Sequence, residues 1–264
     1  SKGHQPPALL RLKKVGKDAR GTSTEIANAM ASTRPLPTGT FPWDPQVAPP
    51  LVLGVGMNYA SHAKELGKPL PLEPVIFSKG PNAITGSGSP IIIPKEEPKV
   101  DFEGELAVII GPRPCRDVSV EDALSYVGGY CVANDVTGRT WQFENFNGGQ
   151  WVRSKSFDSF CPLGPCLVDA ATVGDPQQLR ITTKINGEVF QDGSCSDMVF
   201  GVAQLLAFLS KGSTLLPNTV ILTGTPSGVG HSRQPPRYLR AGDTVTVSIS
   251  NVGEISNTVV SAEA

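Results

Sequence analysis

Asp101-Phe102-Glu103-Gly104-Glu105-Leu106-Ala107-Val108-Ile109-Ile110 joins an acidic entry to an unbroken apolar run. Acidic residues are poor strand formers, whereas a short apolar run rich in β-branched residues reads as a buried strand. Side chains alternate across a strand, so Glu103 and Glu105 point to one side. Two carboxylates ~4 Å apart repel by about 4 kcal/mol at an effective dielectric near 20. A divalent cation between them removes that cost. These residues alone leave two readings open, a cation site or solvated acids on an edge strand.

Outward from this stretch, the chain reads as short strands divided by Gly/Pro turns. Ile91–Ile93, Glu105–Ile110, Tyr126–Ala133, Ile181–Ile185, Val220–Leu222 and Thr244–Ser250 have strand patterns. Ser119-Val120-Glu121-Asp122 resembles a capping box opening a short helix. Val199, Val202, Leu205, Leu206 and Leu209 recur at helical spacing, predicting a helix from Asp197 to Lys211, with Gly212 as its stop. So few helices cannot cover a doubly wound sheet, and the expected fold class is α+β, β-rich. Residues 1–50 are rich in Pro, Thr and basic residues and read as a lead-in segment or small appendage, with one helix around Thr24–Ala31. Residues 51–264 form the expected catalytic domain.

Composition narrows the function. The chain has 264 residues, 39% hydrophobic and 18% charged, as an ordinary globular protein does. Its net charge of −1 gives no electrostatic case for nucleic acid or an anionic membrane. No apolar stretch approaches the ~20 residues that span a bilayer. Five cysteines without a CxxC pair argue against a disulfide framework or a thiolate zinc site. Ser1-Lys2-Gly3-His4 lacks the apolar core of a secretion signal. The expected compartment is the cytoplasm or the mitochondrial matrix, not the exterior.

Several familiar motifs are absent. Gly54-Val55-Gly56-Met57-Asn58-Tyr59 has Tyr where a dinucleotide fingerprint needs its third Gly. There is no GKS or GKT, and Thr225-Pro226-Ser227-Gly228-Val229 is not GxSxG. Three histidines do not suit a His-rich zinc site.

Four further groups of residues remain. Asp135 ends the apolar run Tyr130-Cys131-Val132-Ala133 and adds a third carboxylate. Three such oxygens, without imidazole or thiolate, suit Mg²⁺ or Mn²⁺. His62 and Glu65 are three apart, hence on one face of a helical turn, where the carboxylate can hold one imidazole tautomer for acid–base work. An ordinary surface pair has the same spacing. Arg139, Gln142 and Lys155 could hold a substrate carboxylate, or be surface residues. Thr223-Gly224-Thr225-Pro226-Ser227-Gly228-Val229-Gly230 could offer backbone N–H groups to an anion, or simply join two strands.

In combination and order, these pieces resemble the fumarylacetoacetate hydrolase family. The resemblance rests on Gly-x-Asn-Tyr-x-x-His at Gly56–His62, Glu-x-Glu at Glu103–Glu105 and Asn-Asp-Val-Thr-x-Arg at Asn134–Arg139. It continues through Lys-Ser-Phe-Asp at Lys155–Asp158 and Thr-Gly-Thr-Pro-x-Gly-Val-Gly at Thr223–Gly230. Phe157 to Pro165 looks most like the branch called domain-containing protein 2. The resemblance implies a rolled mixed β-sheet or barrel, a homodimer, and a Mg²⁺ or Mn²⁺ centre, with Ca²⁺ as a substitute.

By the same resemblance, Glu103, Glu105 and Asp135 are the metal ligands. His62, Glu65 and Lys155 are catalytic, and Arg139, Gln142, Thr225 and Tyr59 lie at the substrate, a small 2-oxo acid. The implied chemistry runs through a metal-stabilised enolate. Oxaloacetate keto–enol tautomerisation leads. Hydrolysis of a C–C bond in an acylpyruvate, fumarylpyruvate or fumarylacetoacetate, or oxaloacetate decarboxylation, is the alternative, and a non-catalytic binder comes last. One departure is Thr140, where many members have Asp after the Arg; it puts the aim of Arg139 in question.

Overall fold

The computed structural model describes residues 49–144 and 149–262. The appendage and helix expected before residue 49 lie outside the described residues. The acidic entry does lead into a buried strand, β6 (Gly104–Ile110), and every one of its residues is buried. Burial on both faces explains why residues 106–110 are continuously apolar rather than alternating. A Cβ on Gly104 would lie 2.2 Å from Thr183 Oγ1, so only glycine fits where the second sheet crosses β6.

A seven-stranded sheet holds β6 near its middle. Its order is β2 (Val75–Lys79), β1 (Val52–Gly56), β12 (Val220–Leu222), β6, β7 (Val127–Asn134), β9 (Cys161–Asp169) and β3 (Ile84–Gly86). The edge strands β2 and β3 are consecutive in the chain, separated only by residues 80–83. Laid flat, six interstrand steps of about 4.8 Å would part them by about 29 Å. Five residue steps reach at most about 18 Å. The sheet therefore curls, as the expected rolled sheet requires.

A five-stranded sheet runs β11 (Glu188–Ser194), β10 (Arg180–Ile185), β13 (Thr244–Ile249), β14 (Gly253–Ser261) and β4 (Ile91–Ile93). In β13 the inward residues Val245, Val247 and Ile249 are buried and alternate with half-buried hydroxyls. β14 packs on β7 and β9, while β10 and β13 pack on β6. The core lies between the two sheets. A two-residue pair, β5 (Val100–Asp101) with β8 (Thr137–Gly138), brings the acidic entry beside the start of the Arg139 segment.

The helices are short: α1 (Ala60–Glu65), α2 (Val120–Ala123), α3 (Trp151–Lys155), α4 (Ala170–Val173) and α5 (Val202–Leu209). Ser119 caps α2 as its sequence predicts, accepting from Asp122 N at 3.2 Å. The helix expected from Asp197 begins only at Val202. The preceding residues are held extended by the 58–59 segment. Tyr59 bridges to Met198, Asn58 O accepts from Val199 N at 2.8 Å, and the Asn58 side chain clasps both backbone groups of Phe200. Asp197 instead accepts from Ser61 N in the first turn of α1, at 2.9 Å.

Candidate active site

Glu103 lies just before β6 and Asp135 just after β7, which are adjacent antiparallel strands. Their backbones are cross-tied: Asp135 N donates to Glu103 O at 2.8 Å, and Glu103 N donates to Asn134 Oδ1 at 3.0 Å. Glu105 projects from β6 to the same place. Glu103, Glu105 and Asp135 are all buried, and each offers an oxygen within 4.8 Å of the others'.

Buried carboxylates need positive partners. Lys155, at the end of α3, spends its three N–H groups on Asp135 Oδ2 (2.5 Å), Thr137 Oγ1 (2.6 Å) and Glu103 Oε2 (2.8 Å). Lys79, at the end of β2, donates to Asp135 Oδ1 at 2.5 Å and Val136 O at 3.0 Å. Arg139 reaches Glu103 Oε1 at 2.7 Å.

Burial favours a neutral Glu103, but the cations of Lys155 and Arg139 override it and hold the carboxyl far below the usual range. Burial and the charges of Asp135 and Glu103 push Glu105 well up. Lys155 is raised, because Asp135 and Glu103 outweigh its desolvation. The trio fits a hard dication. Its donors are all oxygen, and the like-charge repulsion that raises Glu105 is what such an ion would relieve.

His62 and Glu65 share one face of α1, with His62 Nδ1 3.0 Å from Glu65 Oε2. Gly228 N donates to Glu65 Oε1 at 2.9 Å, so the Gly-rich turn after β12 fixes the carboxylate. Burial pushes Glu65 up, yet hydrogen bonds from His62, Ser232 and Gly228 prevail and hold it below the ordinary glutamate value.

Arg139 precedes a π-turn over Thr140–Glu144 and Gln142 lies in its middle, where Arg139 Nη1 donates to Gln142 Oε1 at 2.7 Å. With Thr140 following it, Arg139 is held by an acid from elsewhere in the chain. Asp101 accepts from Arg139 Nε and Nη2, and also from Phe102 N, Gly230 N and His231 N. Thr225 Oγ1 donates to Gly104 O at 2.9 Å and accepts from Gln191 at 2.7 Å.

A cavity of about 600 Å³ brings together His62, Glu103, Glu105, Arg139, Gln142, Lys155 and Thr225. Three expected residues do not line it. Glu65 stands behind His62, to whose Nδ1 it is hydrogen-bonded. Asp135 is fully buried beneath Lys79 and Lys155. Tyr59, expected at the substrate, is fully buried with its hydroxyl on Cys195 Sγ at 3.5 Å. Its aromatic bulk is spent on the core, where β1 hands over to α1.

Sequence reasoning missed Lys79 and Asp101. The alternation that pairs Glu103 with Glu105 extends to Asp101, and that signal was available. Lys79 carried none, since its contact depends on the curl of the sheet.

The family model described as fumarylacetoacetate (FAA) hydrolase C-terminal matches residues 51–260. The chain is 44% identical over 246 residues to the Bos taurus protein named oxaloacetate tautomerase FAHD2A, mitochondrial. That match spans 92% of this chain and 78% of the bovine one. Among solved structures, the fumarylacetoacetate hydrolase (EaFAH) of Exiguobacterium antarcticum superposes with a TM-score of 0.74 at 42% identity, over 81% of this chain and 76% of that one. A Mycobacterium smegmatis structure described as 5-carboxymethyl-2-hydroxymuconate delta-isomerase gives a TM-score of 0.72 at 40% identity, over 83% of this chain and 81% of that one. With its curled sheet, its motifs and nearly all of its described length accounted for, the chain belongs to the fumarylacetoacetate hydrolase family of enzymes.

Proposed function

We propose that this chain interconverts the keto and enol forms of a small 2-oxo acid, oxaloacetate first, with His62 carrying the proton. One observation carries the reading: His62, with Glu65 on its Nδ1, and the Glu103/Glu105 carboxylates open onto a single cavity. The bovine relative's name supports the choice of oxaloacetate.

The Glu65 carboxylate accepts from Nδ1 of His62, which leaves Nε2 as the nitrogen that exchanges protons. In the enol-to-keto direction, the O2–H bond breaks, the C2=C3 pair takes a proton at C3, and C2=O forms. His62 delivers the proton to C3, and the proton from O2 restores it. Arg139 and Lys155 supply positive potential for the acid's carboxylates, and Gln142 and Thr225 orient its oxygens. Glu103, Glu105 and Asp135 would hold Mg²⁺ or Mn²⁺, with Ca²⁺ as a substitute; when bound, the ion supplies Lewis-acid polarisation of the 2-oxo group. The working unit in this reading is a homodimer in the mitochondrial matrix or the cytoplasm.

The similarity to the Exiguobacterium hydrolase favours a second reading. There His62 takes a proton from water, the water oxygen adds to the 4-oxo carbon of an acylpyruvate, and C3–C4 breaks with protonation at C3. The decisive experiment follows enol-oxaloacetate decay by ultraviolet absorbance, with and without Mg²⁺, beside an acylpyruvate cleavage assay. The tautomerase reading expects Mg²⁺-dependent acceleration of the decay. Cleavage of acylpyruvate with no effect on enol decay would replace it with the hydrolase.

A further inference from the structure

The cavity is built for more than a four-carbon diacid. At about 600 Å³ it is several times larger than oxaloacetate requires, inside the range of about 300–1,000 Å³ that holds drug-sized ligands. Its polar pole is compact: His62, Glu103, Glu105, Arg139 and Lys155. Beside it the lining is largely apolar, with Val55, Met57, Leu66, Phe77 and Trp151, while Lys68 and His231 also reach the cavity. Phe77 joins the two. Its ring lies 5.8 Å from Trp151 at an interplanar angle of 55°, and Lys155 Nζ stands 4.7 Å from its centroid. The apolar wall therefore starts at the cation where the polar pole ends. A ring placed against Phe77 and Trp151 gains burial and tilted aromatic contacts.

We propose that the site also accepts 2-oxo acids with an apolar, aryl-sized substituent on C3 and interconverts their keto and enol forms. This extends the tautomerase reading and rests on the role given there to His62. The acid's carboxylate and 2-oxo group occupy the polar pole, and the C3 substituent extends along Phe77 and Trp151. The step is self-contained. C3–H breaks, its electron pair forms C2=C3, and O2 takes a proton, with His62 as carrier and no co-reactant.

The test uses the full chain loaded with Mg²⁺. Calorimetry gives dissociation constants for pyruvate, 4-methyl-2-oxopentanoate and phenylpyruvate, and ultraviolet absorbance follows enol decay of phenylpyruvate and of oxaloacetate. The expected result is a dissociation constant falling by about tenfold or more from pyruvate to phenylpyruvate, with faster phenylpyruvate enol decay. Leu66→Asp should collapse that ratio, and the wild-type series stands alone if the variant folds poorly. Equal affinities along the series with oxaloacetate still turned over would overturn this inference and leave the tautomerase reading standing. Tight phenylpyruvate binding with neither enol accelerated would overturn both as catalysis. Phenylpyruvate turnover without oxaloacetate turnover would support the inference and remove oxaloacetate as substrate.

Discussion

Asp101 Oδ2 accepts from both Nε and Nη2 of Arg139, at 2.9 and 2.8 Å, and from His231 N at 2.9 Å. One buried carboxylate thus holds a cation that lines the cavity and pins the turn that follows the Gly-rich segment. Asp101→Ala leaves Arg139 with Glu103 and Gln142 only. Breaking a buried pair from one side costs about 3–5 kcal/mol, to be read from urea denaturation. Oxalate affinity should fall with it, because Arg139 is then free to turn away. A variant that binds oxalate as tightly as the parent would show that Asp101 does not aim Arg139.

His62→Ala should lower turnover by ~10²–10⁴ while leaving Mg²⁺ affinity intact, since His62 is no part of the carboxylate trio. Calorimetry and the enol assay on one preparation separate the two effects. An unchanged rate would remove His62 from the mechanism.

Glu65 gives a pH signature. Its folded pKa is lowered, so its stabilisation is fully present above the ordinary glutamate value of 4.5 and is lost as pH falls through the folded value. Denaturation midpoints measured from neutral pH downward should show that acid-side loss in the parent. Glu65→Gln should remove this contribution. Identical pH slopes in the two proteins would mean that the hydrogen bonds to Glu65 add nothing.

Glu103→Gln should abolish Mg²⁺ binding by calorimetry and leave the fold standing. Lys155 keeps Asp135 and Arg139 keeps Asp101, so neither buried cation is orphaned. Mg²⁺ heats like the parent's would count against the trio as the ion's site.

How much of this was legible followed the range of the interactions. β6 and β13 could be read because burial on two faces and on one face leaves distinct patterns in consecutive residues. The cap at Ser119 was equally local. The start of α5 was misplaced because the 198–200 segment answers to Asn58, some 140 residues earlier, rather than to its own helical periodicity. The trio was legible from a resemblance more than from physics. Acids at a strand's mouth can as well be solvated. What makes these a site is Lys79 and Lys155 arriving from β2 and α3, and that depends on sheet order.

Cysteine chemistry should be silent at neutral pH. Burial pushes Cys195 up to about 11 and Cys161 up to about 12, and Cys115 and Cys131 are raised as well. A thiolate is the reactive form, so these four should resist a disulfide reagent until the protein unfolds. Cys166, half-buried, should label first. Rapid labelling of Cys195 in the folded protein would mean that its pocket against Tyr59 opens.

Gly54 and Phe77 stand directly opposite each other on β1 and β2, and the ring covers the glycine. A Cβ at position 54 would come 2.1 Å from Phe77 Cζ, so Gly54→Ala must drive the ring away. Overpacking of this kind costs about 1–3 kcal/mol, measurable as a lower unfolding midpoint. The displaced ring would also leave Trp151 and the Lys155 ammonium, so the preference for phenylpyruvate over pyruvate should shrink. Phe77→Leu removes the colliding atoms. In that background Gly54→Ala should cost little, a coupling that only neighbouring residues show. A Gly54→Ala protein as stable as its parent, with the same preference, would mean that Phe77 does not lie across the glycine and does not form the apolar wall.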